Sequence, residues 1–469
     1  MIKRGFVDTI RCQKNMIFIL IREGTHTIQC IVFKKNKTAF DISKDILVES
    51  YVEIDGDLVS VEKEINTATE KMKEIHVRNI EILSKPEREL PFQLRDADES
   101  LINDSFAKVD QITRLDNRFF DLRSKCNQSI FRLSSTIENT MRKYLLCNDF
   151  VEIHTPKLIG GSTEGGADVF TVDFYGEKAF LTQSPQLYKQ MAIMGGLQRV
   201  MEVGPVFRAE KSNSNRHLSQ FTGFDLEMEV SSYEELLDFT EKFIINIVDD
   251  ISYKRTKFAK PCNNEESRNI DILITHTGFS SKFTTHKFVG SFEDSYFSLS
   301  KNGIVKIPFY KAVDLLRKEM KNDAPANYTD ICAIHEKELG KIVKNRFNVD
   351  FFILEHFPLD SRAFYTEEYI NENYPKDIKW SYGFDLILCG FEISSGALRI
   401  NNSDKLIERC NEKDIDPNSL KNYIDSFRYG APLHGGFGIG LERIVMLLLD
   451  LENVRKSSLF PRYFGRLYP

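Results

Sequence analysis

Two arginines, each set in a long patterned segment, limit the folds open to this chain more than any other feature. Arg208 lies in GPVFRAEKSNSNRHLSQFTGFDLE (residues 204–227), and Arg443 closes HGGFGIGLER (residues 434–443). The first segment places a guanidinium on an apolar strand, then a polar loop with Arg216 and His217, then Phe221. That order suits a nucleotide gripped by its phosphates and held by its base. The second is a glycine-rich turn running into Leu441, Glu442 and Arg443, which sets a second guanidinium near the far end of a triphosphate. Guanidinium groups stay charged and grip phosphate bidentately. Neither segment is a P-loop or a dinucleotide fingerprint, so the common nucleotide folds are disfavoured.

A length of 469 residues implies two or three domains. The net charge of −6 argues against a generic basic nucleic-acid coat, though not against a local basic patch. The eight cysteines are scattered with no Cys-x-x-Cys, which reads as reduced thiols of a cytoplasmic protein. The sequence reads without a signal peptide or membrane span, and strand-like sequence follows Met1 almost at once.

Residues 1–83 read as short strands. A continuous apolar run at 16–21 is followed by strand-like runs at 27–33, 51–61 and 74–83, as in a small β-barrel of the OB type. Such barrels bind single-stranded nucleic acid on an exposed face. Residues 84–113, with Pro86, Pro91 and the acidic cluster Asp96, Asp98, Glu99 and Asp104, read as a linker. Ile130, Leu133, Ile137, Met141 and Leu145 then lie three or four apart, giving one apolar helix face that ends at Asn148-Asp149. Residues 150–156 read as a strand stopped by Pro156. Strands dominate 168–230, a helix follows at 234–249, and strands resume near 384–388 and 392–394 before a helix at 441–451. Residues 256–303 have weak patterning and are expected to be a surface insertion.

On these residues the chain resembles the class II aminoacyl-tRNA synthetases, and within that class the aspartyl enzymes of eukaryotic and archaeal type. Residues 149–156, with the helix before them, resemble motif 1, the Arg208 segment motif 2 and the Arg443 segment motif 3. The resemblance implies an α+β chain: a five-stranded OB-type barrel for anticodon binding over 1–83, a linker or hinge over 84–113, and a catalytic domain over 114–469. The catalytic domain would be an antiparallel sheet flanked by helices. Residues alone support only a mixture of α and β.

The resemblance also implies the chemistry: ATP-dependent ligation of L-aspartate to tRNA(Asp) through an aspartyl-adenylate, with Mg²⁺, in a homodimer formed through the motif 1 region. An aspartate pocket wants cations, whereas an asparagine pocket avoids an unpaired one. Lys189, in QSPQLYKQ (183–190), would face the side-chain carboxylate, with Arg399 as a second cation and Asp225 anchoring Lys189. Glu164 and Gln186 would hold the ammonium group. Arg208 would contact the α-phosphate and the substrate carboxylate. Arg216, His217 and Arg443 would hold the β- and γ-phosphates. Phe221 would stack on adenine and Glu210 read its amino edge. Leu218, Gly440, Leu441 and Glu442 complete the implied ATP set, and Glu392 and Ser395 would be the Mg²⁺ ligands. Arg208, Glu392 and Arg443 form the implied catalytic core.

On the barrel, Phe18, Gln29 and Glu74 match the family's anticodon contacts. Taken alone, Lys189 reads as a surface lysine, and Phe18 and Phe221 as core phenylalanines. Departures from the pattern are Asn215, Gln220, Cys389, Phe391 and Phe437. An asparaginyl enzyme, an aspartyl enzyme that also charges tRNA(Asn), and a catalytically silent tRNA-binding paralogue remain open at this point.

Overall fold

The computed structural model describes residues 1–99, 106–161, 169–258, 294–320 and 323–468. Glu164 and most of the 256–303 segment lie outside the described residues. The backbone divides into two compact units, one built on Met1–Leu133 and the other starting at Ser134.

In the first unit, β1 (Ile2–Cys12), β2 (Met16–Glu23), β3 (His26–Phe33), β4 (Tyr51–Ser60) and β5 (Lys73–Ser84) form a closed barrel in the order β1-β2-β3-β5-β4. Alternation assigns the two faces. Ile17, Ile19 and Ile21 of β2 join Cys30, Val32, Val52, Ile54 and Ile75 in one core, while Phe18 and Gln29 remain partly exposed. Each buried isoleucine contributes about 1.5–3 kcal/mol, so a charge at Ile19 would open the barrel. The helix Lys37–Lys44 begins where the Asn36 side chain accepts from the Ala39 amide, and its Phe40 joins this core.

The stretch expected to be a linker carries a short helix, Leu94–Glu99, with Leu94 and Ala97 buried. The buried Asp98 carboxylate accepts from the amides of Lys125 and Cys126 at 2.9 and 3.2 Å, satisfying the first turn of the helix Lys125–Leu146. All five apolar residues expected on one face of that long helix are buried, and Asp149 takes a left-handed conformation just after it.

The second unit is organised by a sheet of nine strands. Along the chain the strands are β6 (Val151–Glu152), β7 (Leu158–Ile159), β8 (Thr171–Phe174), β9 (Glu177–Leu181), β10 (Arg199–Phe207), β11 (Gln220–Glu229), β12 (Ser298–Leu299), β13 (Val305–Pro308), β14 (Phe351–Glu355), β15 (Glu368–Tyr369), β16 (Trp380–Ser381), β17 (Gly383–Leu388), β18 (Phe391–Leu398) and β19 (His434–Gly440). The large sheet runs β12-β13-β14-β17-β18-β19-β11-β10-β6. Its centre is antiparallel as expected, and among the described residues of this sheet β13–β14 and β10–β6 pair in parallel. β7, β9 and β8 form a small sheet, and β15 pairs β16. The strand expected over 150–156 is only the two residues of β6, with Pro156 beyond it.

Candidate active site

The register of the central strands builds the floor of a cleft of about 640 Å³. Asp225 of β11 pairs Gly438 of β19, Gly438 pairs Ser395 of β18, and Ser395 pairs Asp385 of β17. Directly opposed residues share a face, so this row and the rows two residues away look into the same cleft. On that face β19 presents Gly436, Gly438 and Gly440, after His434 at the start of the strand. A Cβ at Gly436 would lie 2.1 Å from the Leu226 carbonyl oxygen, and one at Gly438 would lie 3.0 Å from Asp225 Oδ1. The glycine run therefore keeps the floor low. Phe437 points to the opposite face and is buried against Phe243.

One end of the floor is a buried charge cluster. Lys189, on the helix Gln186–Met194, is fully buried, so the surface-lysine reading of the sequence does not hold. Its Nζ donates to Asp225 Oδ1 and the Leu226 carbonyl at 3.2 Å each, and lies 3.6 Å from Glu227 Oε2. Arg399 Nε donates to Glu227 Oε1 at 2.9 Å, and its Nη2 to the Gly436 carbonyl at 2.9 Å. Gln186 Nε2 donates to Glu227 Oε2 at 3.3 Å. Burial alone would raise the Glu227 carboxyl, but Arg399 and Lys189 outweigh it and hold it below the usual carboxylate range. Glu227 went unassigned in the sequence, although the Asp225-Leu-Glu227 alternation already put both carboxylates on one face.

The other end gathers the arginines. The β10–β11 hairpin is closed by Arg208, whose amide donates to the Ser219 carbonyl at 2.9 Å. The Arg208 guanidinium lies 5.5 Å from the centre of the Phe221 ring. Arg216 pairs with Glu336 at 2.9 Å over the ring of Phe391. Arg443 Nη1 donates to the Glu392 carbonyl at 3.0 Å. His217 Nδ1 meets Ser214 Oγ at 2.6 Å; burial, together with Arg443, Arg216 and Arg208, lowers its pKa despite Glu210. Glu442 is turned to β11, where it accepts from the Thr222 amide and hydroxyl, while Leu441 is buried behind it. Gln186, Glu210, Leu218 and Gly440 also line the cleft. Asn215 ties the polar loop to the C-terminal segment: its Nδ2 donates to the Glu452 carbonyl at 2.8 Å.

Carboxylates collect between the two ends. Burial first, then Asp385, raises the Glu392 carboxyl to about 7 against the pull of Arg443, and Glu336 adds to the effect. Arg362 ties Ser395 Oγ and Asp385 Oδ2 together at 2.7 and 2.9 Å, with its guanidinium 3.6 Å from the centre of the Phe357 ring. Asp385 Oδ1 is buried without a hydrogen-bond partner. Hard oxygen donors, an orphaned carboxylate oxygen and carboxyls that repel one another fit a hard divalent cation. Among the described residues no group of three or more His, Cys, Asp or Glu could hold a metal ion. Asp385 and Arg362 were missed in the sequence; an aspartate inside the apolar run FDLIL was the available signal for the first.

On the barrel, Gln29 Nε2 donates to Glu74 Oε2 at 2.9 Å, and His76 meets the other Glu74 oxygen at 3.0 Å. Phe18 is only half-buried, and the Arg11 guanidinium lies 5.7 Å from its ring centre, so it is not a core residue.

Known proteins share this fold. Residues 110–463 match the family model of class II tRNA synthetases (D, K and N), and residues 3–83 that of the OB-fold nucleic acid binding domain. A cytoplasmic aspartate--tRNA ligase 1 of Arabidopsis thaliana is 39% identical over 99% of this chain and 83% of its own length. The structure of a putative aspartyl-tRNA synthetase from Leishmania major superposes with a TM-score of 0.88 at 35% identity, covering 100% of this chain and 92% of that one. An asparaginyl-tRNA synthetase from Pyrococcus horikoshii, complexed with asparaginyl-adenylate, follows at 26% identity and a TM-score of 0.78, covering 100% and 96%. The chain belongs to the class II tRNA synthetases of the D, K and N group, and within that group to the aspartate--tRNA ligases.

Proposed function

We propose that the chain ligates L-aspartate to tRNA(Asp) through an aspartyl-adenylate. The observation that carries this reading is a buried charge cluster at one end of the cleft, where Arg399 and Asp225 line the wall and Lys189, fully buried, backs Asp225. Both cations are already held by Asp225 and Glu227, so their positions are fixed before substrate arrives. An aspartate side-chain carboxylate can accept charge-assisted hydrogen bonds from the Arg399 guanidinium where it lines the cleft. Asparagine brings a neutral amide and gains less.

In the first step the aspartate α-carboxylate attacks the α-phosphorus of ATP and pyrophosphate leaves. Arg208 steadies the α-phosphate and the attacking carboxylate, and Phe221 supplies the adenine platform. Arg216, His217 and Arg443 hold the departing phosphates. Positioning and charge stabilisation dominate such a transfer. Mg²⁺, held by Glu392 and Ser395 with Asp385 beside them, would neutralise phosphate charge there. In the second step the 3′-hydroxyl of the tRNA loses its proton and attacks the adenylate carbonyl, the anhydride bond breaks, and AMP leaves. Phe18, Gln29 and Glu74 read the anticodon, with an aromatic face beside hydrogen-bonding groups.

A homodimer through the motif 1 region is part of the same proposal, supported by the exposed apolar side chains of Leu146, Val151 and Leu158. So is a cytoplasmic location, supported by the relatives' names. Amino-acid-dependent ATP–pyrophosphate exchange, without tRNA and with Mg²⁺, tests the reading. Exchange with aspartate and not asparagine is expected. Exchange with neither would sink it.

A further inference from the structure

Phe391 departs from its family's pattern, and its surroundings give it a task. The turn between β17 and β18 is two residues long, with Cys389 and Gly390 both at positive φ (51° and 74°). The helix Ala333–Phe347 lies tightly against this turn: a Cβ on its Gly340 would fall 2.6 Å from Gly390 Cα, and a Cβ on Gly390 would fall 2.8 Å from Lys337 Cα. The close approach presents Glu336 at the phosphate end of the cleft. Glu336 Oε2 accepts from Arg216 Nη1 at 2.9 Å, with both side chains only 13–14% exposed. The Arg216 guanidinium lies 4.2 Å from the centre of the Phe391 ring. Its Nη2 is buried without a hydrogen-bond partner, so the guanidinium is held beside Glu336 but not fully satisfied there.

We propose that Glu336 is a positioning residue that competes with the terminal phosphates of ATP for Arg216, with Phe391 as the platform holding the guanidinium. In the pair with Glu336, Arg216 is parked. A polyphosphate entering the cleft must draw Arg216 from Glu336, and it then offers oxygens to Nη1 and to the Nη2 left unpaired beside Glu336. When pyrophosphate leaves, Glu336 recaptures the arginine. The parked fraction weakens the apparent affinity for ATP and pyrophosphate alike, because only the released arginine is competent to bind. Phe391 bears no charge and does not compete, so it supports the guanidinium in both positions.

The inference rests on the adenylating activity proposed above, and the experiment separates the two. KM values for ATP and aspartate in ATP–pyrophosphate exchange, and calorimetric binding of inorganic pyrophosphate, are compared for the wild-type chain, Glu336→Gln, Arg216→Ala and the double variant. Glu336→Gln is expected to lower the KM for ATP and the Kd for pyrophosphate roughly three- to tenfold, as removal of a parked state allows. The KM for aspartate should hold, and the gain should vanish when Arg216 is absent. Unchanged or weaker binding in a folded Glu336→Gln protein overturns the proposal, as does an equal gain without Arg216. Phe391→Leu supplies a second reading: loss of the platform should raise the KM for ATP, and an unchanged value would remove Phe391 from the device. Absence of exchange with aspartate in the wild type would overturn the functional reading alone, since pyrophosphate titration still decides this one.

Discussion

Lys189 Nζ lies 3.2 Å from Asp225 Oδ1 in a pocket where the lysine has no solvent exposure. A buried cation is held by partners or not at all. On the proposed reading the same contact serves the fold and selects the substrate. Lys189→Leu should raise the KM for aspartate steeply while the KM for ATP stays near its wild-type value. It also strands Asp225 and part of Glu227, so a cost on the order of 3–5 kcal/mol in stability is expected. Exchange kinetics beside a thermal melt check both parts. An unchanged aspartate requirement in a folded variant would remove Lys189 from the pocket.

Glu227 ties the second cation. Its carboxyl is held below the usual range, so its stabilisation is fully present above the unfolded value near 4.5 and fades as pH falls through the lower folded value. Glu227→Gln leaves Arg399 buried without its counter-ion and should cost about 3–5 kcal/mol at neutral pH. Melts of both proteins from pH 7 to 3 test this. The gap between them should narrow only in the acid range, and a gap independent of pH would contradict the assignment.

Much of this was legible in the sequence where the signal is local. The barrel could be read because short strand-like runs follow one another over residues 1–83, although the continuous apolar run at 16–21 does not itself separate Ile17, Ile19 and Ile21 from Phe18. Arg208 and Arg443 stand out because each interrupts an apolar or glycine-rich frame. The pairings were not legible. Arg399 finds Glu227 across 172 positions, and Arg216 finds Glu336 across 120. No period or spacing links such partners; only the sheet register and helix packing do. The short helix Leu94–Glu99 was hidden for another reason: Asp98, read as one of an acidic cluster, caps a helix that starts at Lys125.

Glu392 predicts a pH-dependent metal requirement. Its carboxyl is pushed up to about 7 by burial and by the neighbouring Asp385 charge. Metal ligation needs the ionised form, so falling pH places protons in competition with Mg²⁺. The Mg²⁺ concentration for half-maximal exchange should rise as pH drops from 8 to 6, by up to about tenfold for one proton per pH unit. Glu392→Gln should abolish that slope along with most activity. Calorimetric titration with Mn²⁺ at the two pH values gives a readout independent of turnover.

Two glycines of β19 separate fold from chemistry. Gly436→Ala drives a methyl group into the Leu226 carbonyl at 2.1 Å and the Glu227 carboxylate at 2.3 Å. Backbone cannot yield there cheaply, so a loss of several kcal/mol and poor folding are expected. Gly438→Ala meets only Asp225, with Oδ1 at 3.0 Å, and a side chain can turn. That variant should fold but raise the KM for aspartate, because the displaced carboxylate is the one that holds Lys189. Equal damage to stability from both would mean that the glycine run serves packing and not the cleft floor.

Phe18 tests the barrel independently of the cleft. The ring is half-buried on the outer face, two residues along β2 from the position paired with Gln29. Its neighbours Ile17 and Ile19 fill the core, so removing the ring leaves the barrel's interior intact. Phe18→Ala should therefore cost little stability. Loss of one stacked base costs about 1–3 kcal/mol of binding, or roughly five- to 150-fold in tRNA affinity. Adenylate formation, which needs no tRNA, should keep its wild-type rate. The two assays run on one preparation decide the matter: selective loss of aminoacylation places Phe18 against the RNA, whereas parallel loss of both steps, with a lowered melting temperature, makes it a folding residue.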